Sequence, residues 1–412
     1  MPETISKQAE HYLEAVANAL EIPRSRYEQA EKSYKSLGEW LHRDESRIRK
    51  FDPDVFVQGS FRLGTVIKPN SEMEEYDIDS VCLLRALSKP DLPQATLKEM
   101  VGEQVELYRI AKSMTKKVQE SRRCWRLEYA EGAQFHMDIL PSIPNGRYQR
   151  RLLEAQNLDA QFADSSIAIT DNEVPEYRVV TDDWPRSNPR GYADWFSERM
   201  GDVFIRRREM VLNEMLAEGV TASIEDVPVY RVRTPLQSTI MILKRHRDTM
   251  FAADPENKPI SIIISTLSAH AYNGEETIGA ALLSILIRME NAIERDDVGY
   301  VIKNPTDPLE NFADKWREHP ERAAAFFKWL NQARTDFAAA ASLVEYQRMS
   351  DTLADGIGRE VAQAASDAVL QSSQRGGRAS LVRDATAASA ALPASVSFAD
   401  TPRVPKKPDG FA

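Results

Sequence analysis

The sequence predicts an α+β fold with two lobes: a mixed sheet flanked by helices, then a mainly helical lobe and a disordered C-terminal tail. Short apolar runs typical of strands lie within the first 200 residues. Apolar residues at helical spacing dominate residues 201–371. From residue 372 the sequence turns to Ser, Ala, Gly, Arg and Pro, with too little apolar surface to offset the entropy of ordering. We therefore expect three regions: 1–200, 201–371 and 372–412.

The amino-acid composition argues against several classes of protein, namely those that bind long nucleic acid, span a membrane or depend on disulfides. The 412 residues carry a net charge of −10, whereas a protein that binds long duplex nucleic acid usually presents a basic face. No stretch approaches the ~20 apolar residues of a membrane span, and the N-terminus lacks the apolar core of a signal peptide. The two cysteines, Cys82 and Cys124, are too few for a disulfide framework or a structural zinc site. We expect a cytoplasmic protein without membrane or long nucleic-acid partners.

Two helices are predicted at the N-terminus. Residues 5–20 and 26–42 carry apolar side chains at helical spacing, and Pro23 separates them. We expect both helices to pack behind the sheet.

The next stretch combines a small-residue turn with a strand. Gly59 and Ser60 follow the apolar run at residues 55–57, and the residues after them resemble the start of a helix. A glycine lets backbone amides approach an anion, and a helix N-terminus favours negative charge. These residues therefore indicate a phosphate-binding turn.

A pair of carboxylates follows on the next predicted strand. Asp77 and Asp79 are two residues apart, so their side chains lie on one face of a strand while Ile78 points to the other. Two neighbouring carboxylates repel each other unless a cation lies between them. Hard oxygen ligands suit Mg²⁺ bound together with substrate phosphates.

A third carboxylate, Asp138, lies in an otherwise apolar strand at residues 134–140. A glycine-containing connection predicts a hairpin between this strand and residues 124–129. His136 lies on the same face as Asp138, and a hydrogen-bonded structural role is the commoner one for such a histidine. Beside Asp77 and Asp79, Asp138 would complete a two-metal site for phosphoryl transfer.

Each feature alone has an ordinary structural explanation. A Gly-Ser turn is common, an Asp-x-Asp pair is usually a solvated strand edge, and a single strand aspartate is usually hydrogen-bonded. The order and spacing of the three together favour the catalytic interpretation.

These motifs resemble the nucleotidyltransferases of the DNA polymerase beta type. The fuller segments GSFRLGT, EYDIDSVCLL and FHMDILPSIP are similar to the bacterial branch related to cyclic GMP-AMP synthase, the CD-NTases. Further similar segments begin at Trp184, Thr234, Lys258 and Glu310, and the resemblance covers residues 10–345. It implies a polymerase-beta-like nucleotidyltransferase fold, with the catalytic core in residues 1–200 and a nucleotide-binding lobe in residues 201–371.

The helical lobe contains further candidate binding residues. Thr234 and Pro235 predict a helix start, and Lys244 lies at the edge of the apolar face of that helix. A lysine there extends to solvent or meets an anion. The resemblance implies that Lys244 and Ser261 contact a nucleotide triphosphate, together with Gln58, Gly59 and Ser60. It also implies that Asp314 lies near the base or ribose.

Several elements were predicted from local pattern. Residues 260–271 fit a strand by composition and a helix by length and spacing, and we favour the helix. We further expect helices at residues 96–112, 201–218, 321–343 and 353–370, and a strand over Tyr177 to Val180.

The resemblance implies a cyclic oligonucleotide synthase of anti-phage (CBASS) signalling. Such an enzyme joins ribonucleoside triphosphates into a cyclic di- or trinucleotide and releases pyrophosphate, and ATP is the favoured substrate with GTP as a further candidate. Two Mg²⁺ ions would serve as cofactors, with Mn²⁺ as a substitute, held by Asp77, Asp79 and Asp138.

The resemblance also implies protein partners, and two alternative functions remain open. A ubiquitin-like transferase would join Ala412 to another molecule, and an activating protein is a second expected partner. The alternatives are a template-free RNA nucleotidyltransferase and a non-catalytic nucleotide-binding scaffold. The acidic net charge disfavours the first, and the intact carboxylates disfavour the second.

Overall fold

The computed structural model describes residues 2, 4–70, 76–129, 135–217, 219, 223 and 232–383. The described residues up to Leu370 form one compact unit, and the described residues from Gln371 onward belong to a second. In the described part of the chain, no helix combines the length and apolarity needed to cross a membrane.

A mixed sheet forms the centre of the first part of the chain. Its strands run in the order β1-β2-β5-β4-β3, with β6 paired to β5 and β7 paired to β6. β2 and β5 are parallel, and the other neighbours are antiparallel. The bounds are β1 Pro53–Val57, β2 Tyr76–Leu84, β3 Gln119–Glu120, β4 Trp125–Glu128, β5 Phe135–Pro144, β6 Ile167–Ile169 and β7 Arg186–Ser187.

Helices precede, flank and follow this sheet. They are α1 Lys7–Leu20, α2 Arg24–Leu41, α3 Gly59–Leu63, α4 Gln94–Ala111, α5 Gly146–Ala155, α6 Pro189–Ala217, α7 Pro235–Met250, α8 Ser261–Ala271, α9 Ile278–Arg288, α10 Lys315–Glu318, α11 Pro320–Ala341, α12 Tyr346–Ile357 and α13 Arg359–Arg383. Two small hairpins, β8 Glu294–Arg295 with β9 Tyr300–Val301 and β10 Lys303–Asn304 with β11 Asp307–Asn311, lie between α9 and α10. The predicted α+β class is confirmed, as is the helix at residues 260–271.

Two main hydrophobic cores stabilise these layers. One lies between the sheet and helices α2 and α4, and includes Leu37, Ile78, Val101 and Met137. The other joins α1 to the helices after residue 189. The expectation that both N-terminal helices pack behind the sheet is therefore wrong for α1. Its apolar stripe fits the helical core, which a pattern within α1 alone does not distinguish from the sheet.

Two local predictions need correction. Residues Pro175–Arg178 form a 3₁₀ helix, and the following Val179 and Val180 are exposed, so no strand forms at Tyr177 to Val180. Pro175 at the first helical position fixes a φ angle that suits a turn. The helix predicted over residues 353–370 is two helices, separated at Gly358, whose φ of 87° favours glycine.

The predicted region boundaries stay predictions. The boundary at residue 372 lies within α13, which continues to Arg383. Residues 384–412, which include Ala412, lie outside the described residues. The division at residue 201 stays a prediction. It falls within α6, where Gly201 interrupts the helix with φ 49° and ψ −137°.

Candidate functional site

Neighbouring parallel strands bring the three predicted carboxylates to one face of the sheet. In the β2–β5 register Asp79 is the partner of Asp138, and Asp77 is the partner of His136. Side chains two residues apart share a face, so Asp77, Asp79 and Asp138 point the same way. Asp77 is 56% exposed and Asp138 is 15% exposed. We call these three aspartates the acidic wall.

Asp79 lies closest to the Gly-Ser turn. Gly59 has φ 61°, and a Cβ at this position would overlap the Asp79 carboxylate. The backbone amide of Gln58 donates to the Asp79 carbonyl at 2.8 Å. Burial, followed by repulsion from Asp77 and Asp138, raises the pKa of Asp79 to about 7. The turn thus holds a carboxylate where its charge is unfavourable unless a cation compensates it.

His136 joins this group. Its Nε2 lies 2.9 Å from Asp77 Oδ1, and this hydrogen bond raises the pKa of His136. One ligand-capable atom each of Asp77, His136 and Asp138 lies within 4.8 Å of the others. The set is rich in carboxylate oxygen, and its residues could hold a divalent cation. The expected hydrogen bond of His136 is present, and its partner is Asp77.

Arg126 makes a contact that the sequence did not reveal. On β4 it is the register partner of Asp138, and its Nε and Nη2 donate to the two carboxylate oxygens at 2.9 Å each. Such a fork fixes the carboxylate plane and offsets part of its charge. The hydrogen bond to Asp138 also raises the pKa of Arg126.

A cationic surface faces the acidic wall. Lys244 is buried, and its Nζ donates to the Thr65 carbonyl at 2.9 Å. Burial, with repulsion from Arg247, lowers the pKa of Lys244 to about 8. Ser261 is the first residue of α8, where free backbone amides favour anions. We call Lys244, Arg247, Lys258 and Ser261 the basic wall.

Asp77 and Asp79 of the acidic wall and all four residues of the basic wall border one cleft of about 720 Å³, and Asp138 lies beside Asp79 on the neighbouring strand. Gly59, Ser60, Asp77 and Asp79 line one side, and the basic wall lines the other. The cleft could hold a polyphosphate with cations on its acidic side. Lys68, Arg247 and Lys258 also line it, and the sequence analysis did not select them. The only available signal was their proximity in sequence to Lys244, Ser261 and the Gly-Ser turn.

Comparison with known proteins gives one matching family model and two similar curated proteins. The model for the "Cyclic GMP-AMP synthase DncV-like, nucleotidyltransferase domain" matches residues 53–141. A c-di-GMP synthase of Roseivirga ehrenbergii is 29% identical over 336 residues, covering 80% of this chain and 79% of that protein. The cyclic dinucleotide synthase CdnG of Bradyrhizobium diazoefficiens is 24% identical over 350 residues, covering 80% and 75%. Residues 53–141 thus match a nucleotidyltransferase domain of the CD-NTase type, and the chain is similar to cyclic dinucleotide synthases over 80% of its length.

Solved CD-NTase structures share the fold. CdnG of Bradyrhizobium diazoefficiens in complex with GTP superposes with a TM-score of 0.63 at 19% identity, covering 88% of this chain and 99% of that one. CdnC of E. coli MS115-1, in a complex with HORMA-deltaN, gives a TM-score of 0.57 at 12% identity, covering 85% and 97%. The family-model match and the two curated relatives show that the chain is a nucleotidyltransferase.

Two further predicted residues, Gln58 and Asp314, lie outside the cleft. Gln58 lines an adjoining cavity of about 300 Å³, which also borders Asp79 and Glu310. Asp314 is exposed, caps the short helix α10 and lines a separate groove of about 1100 Å³. The structure therefore brings Gly59, Ser60, Lys244 and Ser261 to the acidic wall, but it does not bring Asp314 there.

Proposed function

We propose that this nucleotidyltransferase joins ribonucleoside triphosphates into a cyclic dinucleotide or trinucleotide and releases pyrophosphate. One observation carries the proposal: a carboxylate-rich sheet face and a cationic helix start border the same cleft. The two curated relatives are named as synthases of cyclic dinucleotides, which supports a cyclic product. We further propose a cytoplasmic role in CBASS anti-phage immunity.

Different residues bind different parts of the nucleotide. Gly59, Ser60, Lys244 and Ser261 hold the triphosphate of the donor nucleotide. Gln58 and Asp314 remain proposed nucleotide contacts, of which Asp314 is the weaker because it lines another groove. Positioning of the reacting groups and charge stabilisation would supply most of the rate enhancement.

Asp77, Asp79 and Asp138 would hold two Mg²⁺ ions, or Mn²⁺ as a substitute. The fit is supported by the carboxylate donors and by the raised pKa of Asp79, which a nearby cation would lower. Bound ions would neutralise the phosphates and lower the pKa of the attacking 3′ or 2′ hydroxyl. Asp138, oriented by Arg126, helps to remove the proton of that hydroxyl.

GTP is a favoured substrate on the basis of relatives. One curated relative is named a c-di-GMP synthase, and CdnG of Bradyrhizobium diazoefficiens is described in complex with GTP. The family resemblance favours ATP as the substrate, and ATP stays a candidate for one or both nucleotides.

Two protein partners are proposed. Binding of an activating protein is supported by the description of E. coli CdnC in a complex with HORMA-deltaN. Conjugation of Ala412 by a ubiquitin-like transferase rests on the family resemblance. Intact-mass analysis of protein from its native operon tests it, because absence of an adduct at Ala412 would count against it.

Purified protein should be incubated with all four labelled ribonucleoside triphosphates and Mg²⁺ or Mn²⁺, then treated with phosphatase. We expect a phosphatase-resistant product whose mass gives the bases and the ring size. Absence of such a product with the protein alone and with candidate activators would contradict the proposal.

The two alternative functions have separate tests. A template-free RNA nucleotidyltransferase would extend an RNA primer on a gel, and the net charge of −10 disfavours this activity. A non-catalytic scaffold would release no pyrophosphate with Mg²⁺ and nucleotides.

A further inference from the structure

A buried guanidinium, that of Arg247, contacts the serine of the basic wall. Arg247 is 4% exposed and lies three residues after Lys244 on α7. Its Nη1 donates to Ser261 Oγ at 2.8 Å and to the Pro259 carbonyl at 3.0 Å. The end of α7 is thereby tied to the first residue of α8.

The other side of this guanidinium is also fixed. Its Nε and Nη2 donate to Asp248 Oδ1 at 3.0 and 2.7 Å. Lys258 Nζ lies 3.2 Å from the same oxygen. Since a buried charge is costly unless it is paired and hydrogen-bonded, this arrangement gives Arg247 one stable orientation.

The contact determines what the serine hydroxyl can do. A hydroxyl has one proton to donate and two sites that accept, whereas arginine only donates. The Arg247 N–H therefore uses an accepting site of Ser261 Oγ and leaves the hydroxyl proton for another acceptor. Within the described part of the chain, Ser261 Oγ donates to no protein group, and Ser261 lines the cleft.

We propose that Arg247 is a positioning residue for the triphosphate. It holds Ser261 Oγ so that the hydroxyl proton is donated to a phosphate oxygen of the bound nucleotide. Arg247 acts through the serine, because four of its five N–H donors are used by Ser261, Pro259 and Asp248. This inference rests on the proposed function, because a triphosphate in the cleft supplies the acceptor.

The test compares Arg247→Lys, Ser261→Ala and the double variant. Lysine keeps the charge but cannot reproduce the planar fork. We expect each single variant to weaken binding of a non-hydrolysable GTP or ATP analogue by about tenfold, since a hydrogen bond to a charged group is lost. Because the two residues act as a unit, the losses should not multiply. The affinity of the double variant should lie within about twofold of that of whichever single variant has the lower affinity. KM should rise, while kcat changes less than about twofold.

Arg334→Lys is the matched control. Arg334 also donates to a backbone carbonyl, that of Leu286, and to the carboxylate of Glu290, but it lies on α11 away from the cleft. The Arg334→Lys variant should have a lower unfolding temperature than the wild type, as Arg247→Lys should, but an unchanged affinity for nucleotide. If Arg247→Lys folds poorly, Asp248→Asn keeps the arginine while loosening it, and we expect about threefold weaker binding.

Two outcomes would overturn the inference. One is unchanged affinity in Arg247→Lys while Ser261→Ala binds more weakly. The other is a double variant whose loss equals the product of the single losses, which would show independent action. Failure of the wild-type protein to bind either analogue or form product would instead reject the proposed function.

Discussion

The acidic and basic walls border the same cleft but are stabilised in opposite ways. Strand geometry places Asp79 among like charges, and burial with this repulsion raises its pKa to about 7. In the basic wall, Lys244 and Arg247 donate to the backbone carbonyls of Thr65 and Pro259. The acidic wall therefore gains most from added cations, whereas the basic wall has its geometry fixed by the protein alone.

The largest effect is expected from Asp77→Asn combined with Asp79→Asn. Product formation should fall by at least about 10³-fold, because several kcal/mol of charge stabilisation depend on cations held there. The unfolding temperature should rise, since the repulsion and the buried charge are removed. Mass spectrometry of the product and thermal unfolding measure both effects.

Asp355→Asn, at a side chain that is 94% exposed, should change neither activity nor unfolding temperature. Activity of the double variant within tenfold of wild type would show that the acidic wall does not hold the catalytic cations.

The contact between the turn and the acidic wall gives the second effect. Gly59→Ala should lower product formation by about 10²-fold, because its Cβ would displace the Asp79 carboxylate and small displacements of reacting groups are costly. Gly274→Ala is the matched control, since Gly274 has φ 78° and no neighbour within 4 Å. Both substitutions introduce backbone strain of about 1–2 kcal/mol. An equal loss of activity in both would attribute the effect to backbone strain alone.

The basic wall should respond to pH. The pKa of Lys244 is about 8, and a bound phosphate favours its charged form, so binding takes up a proton above this pH. Triphosphate affinity should be constant over the range where Lys244 is protonated and fall by up to about tenfold per pH unit above about pH 8. Calorimetry from pH 7.5 to 9.5 measures the change.

Lys244→Arg keeps its charge throughout this range and should show a flat profile. A wild-type profile as flat as that of the variant would show that Lys244 does not bind the triphosphate.

The smallest change in triphosphate affinity is expected for a substitution outside both walls. Asp314→Ala should change triphosphate affinity by less than about threefold, because Asp314 is exposed and lines another groove. Competition between ATP and GTP for incorporation tests its proposed contact with the base or ribose. A tenfold loss of affinity for both nucleotides would contradict the small effect expected for a residue outside the cleft.

Local pattern predicted the parts of the site whose geometry is local. Asp77 and Asp79 share a face because they are two residues apart on a strand, and this needs no tertiary information. The start of α7 was likewise predicted from Thr234 and Pro235, which form its cap and first residue. The fold class followed from the same kind of signal.

The contacts between elements could not be predicted in this way. Arg126 meets Asp138 through the β4–β5 register, and Arg247 meets Ser261 because α7 packs against α8. The sequence gives each residue type but not its partner. At Tyr177 to Val180, strand propensity was a weak guide, because it depends on a pairing neighbour.

The packing of α1 has a consequence for the order in which the chain is made. The Tyr12 hydroxyl donates to the Ala362 carbonyl, 350 residues later, and Ser6 donates to the Leu343 carbonyl. Among the described helices, α1 precedes all of its partners: its apolar stripe packs against α7, α9 and α12, and the cover is complete only after α12 and α13 have been made. A fragment ending at residue 200 would leave that stripe exposed and prone to aggregation. The cover of α1 is therefore only partial until the last of these helices has been made.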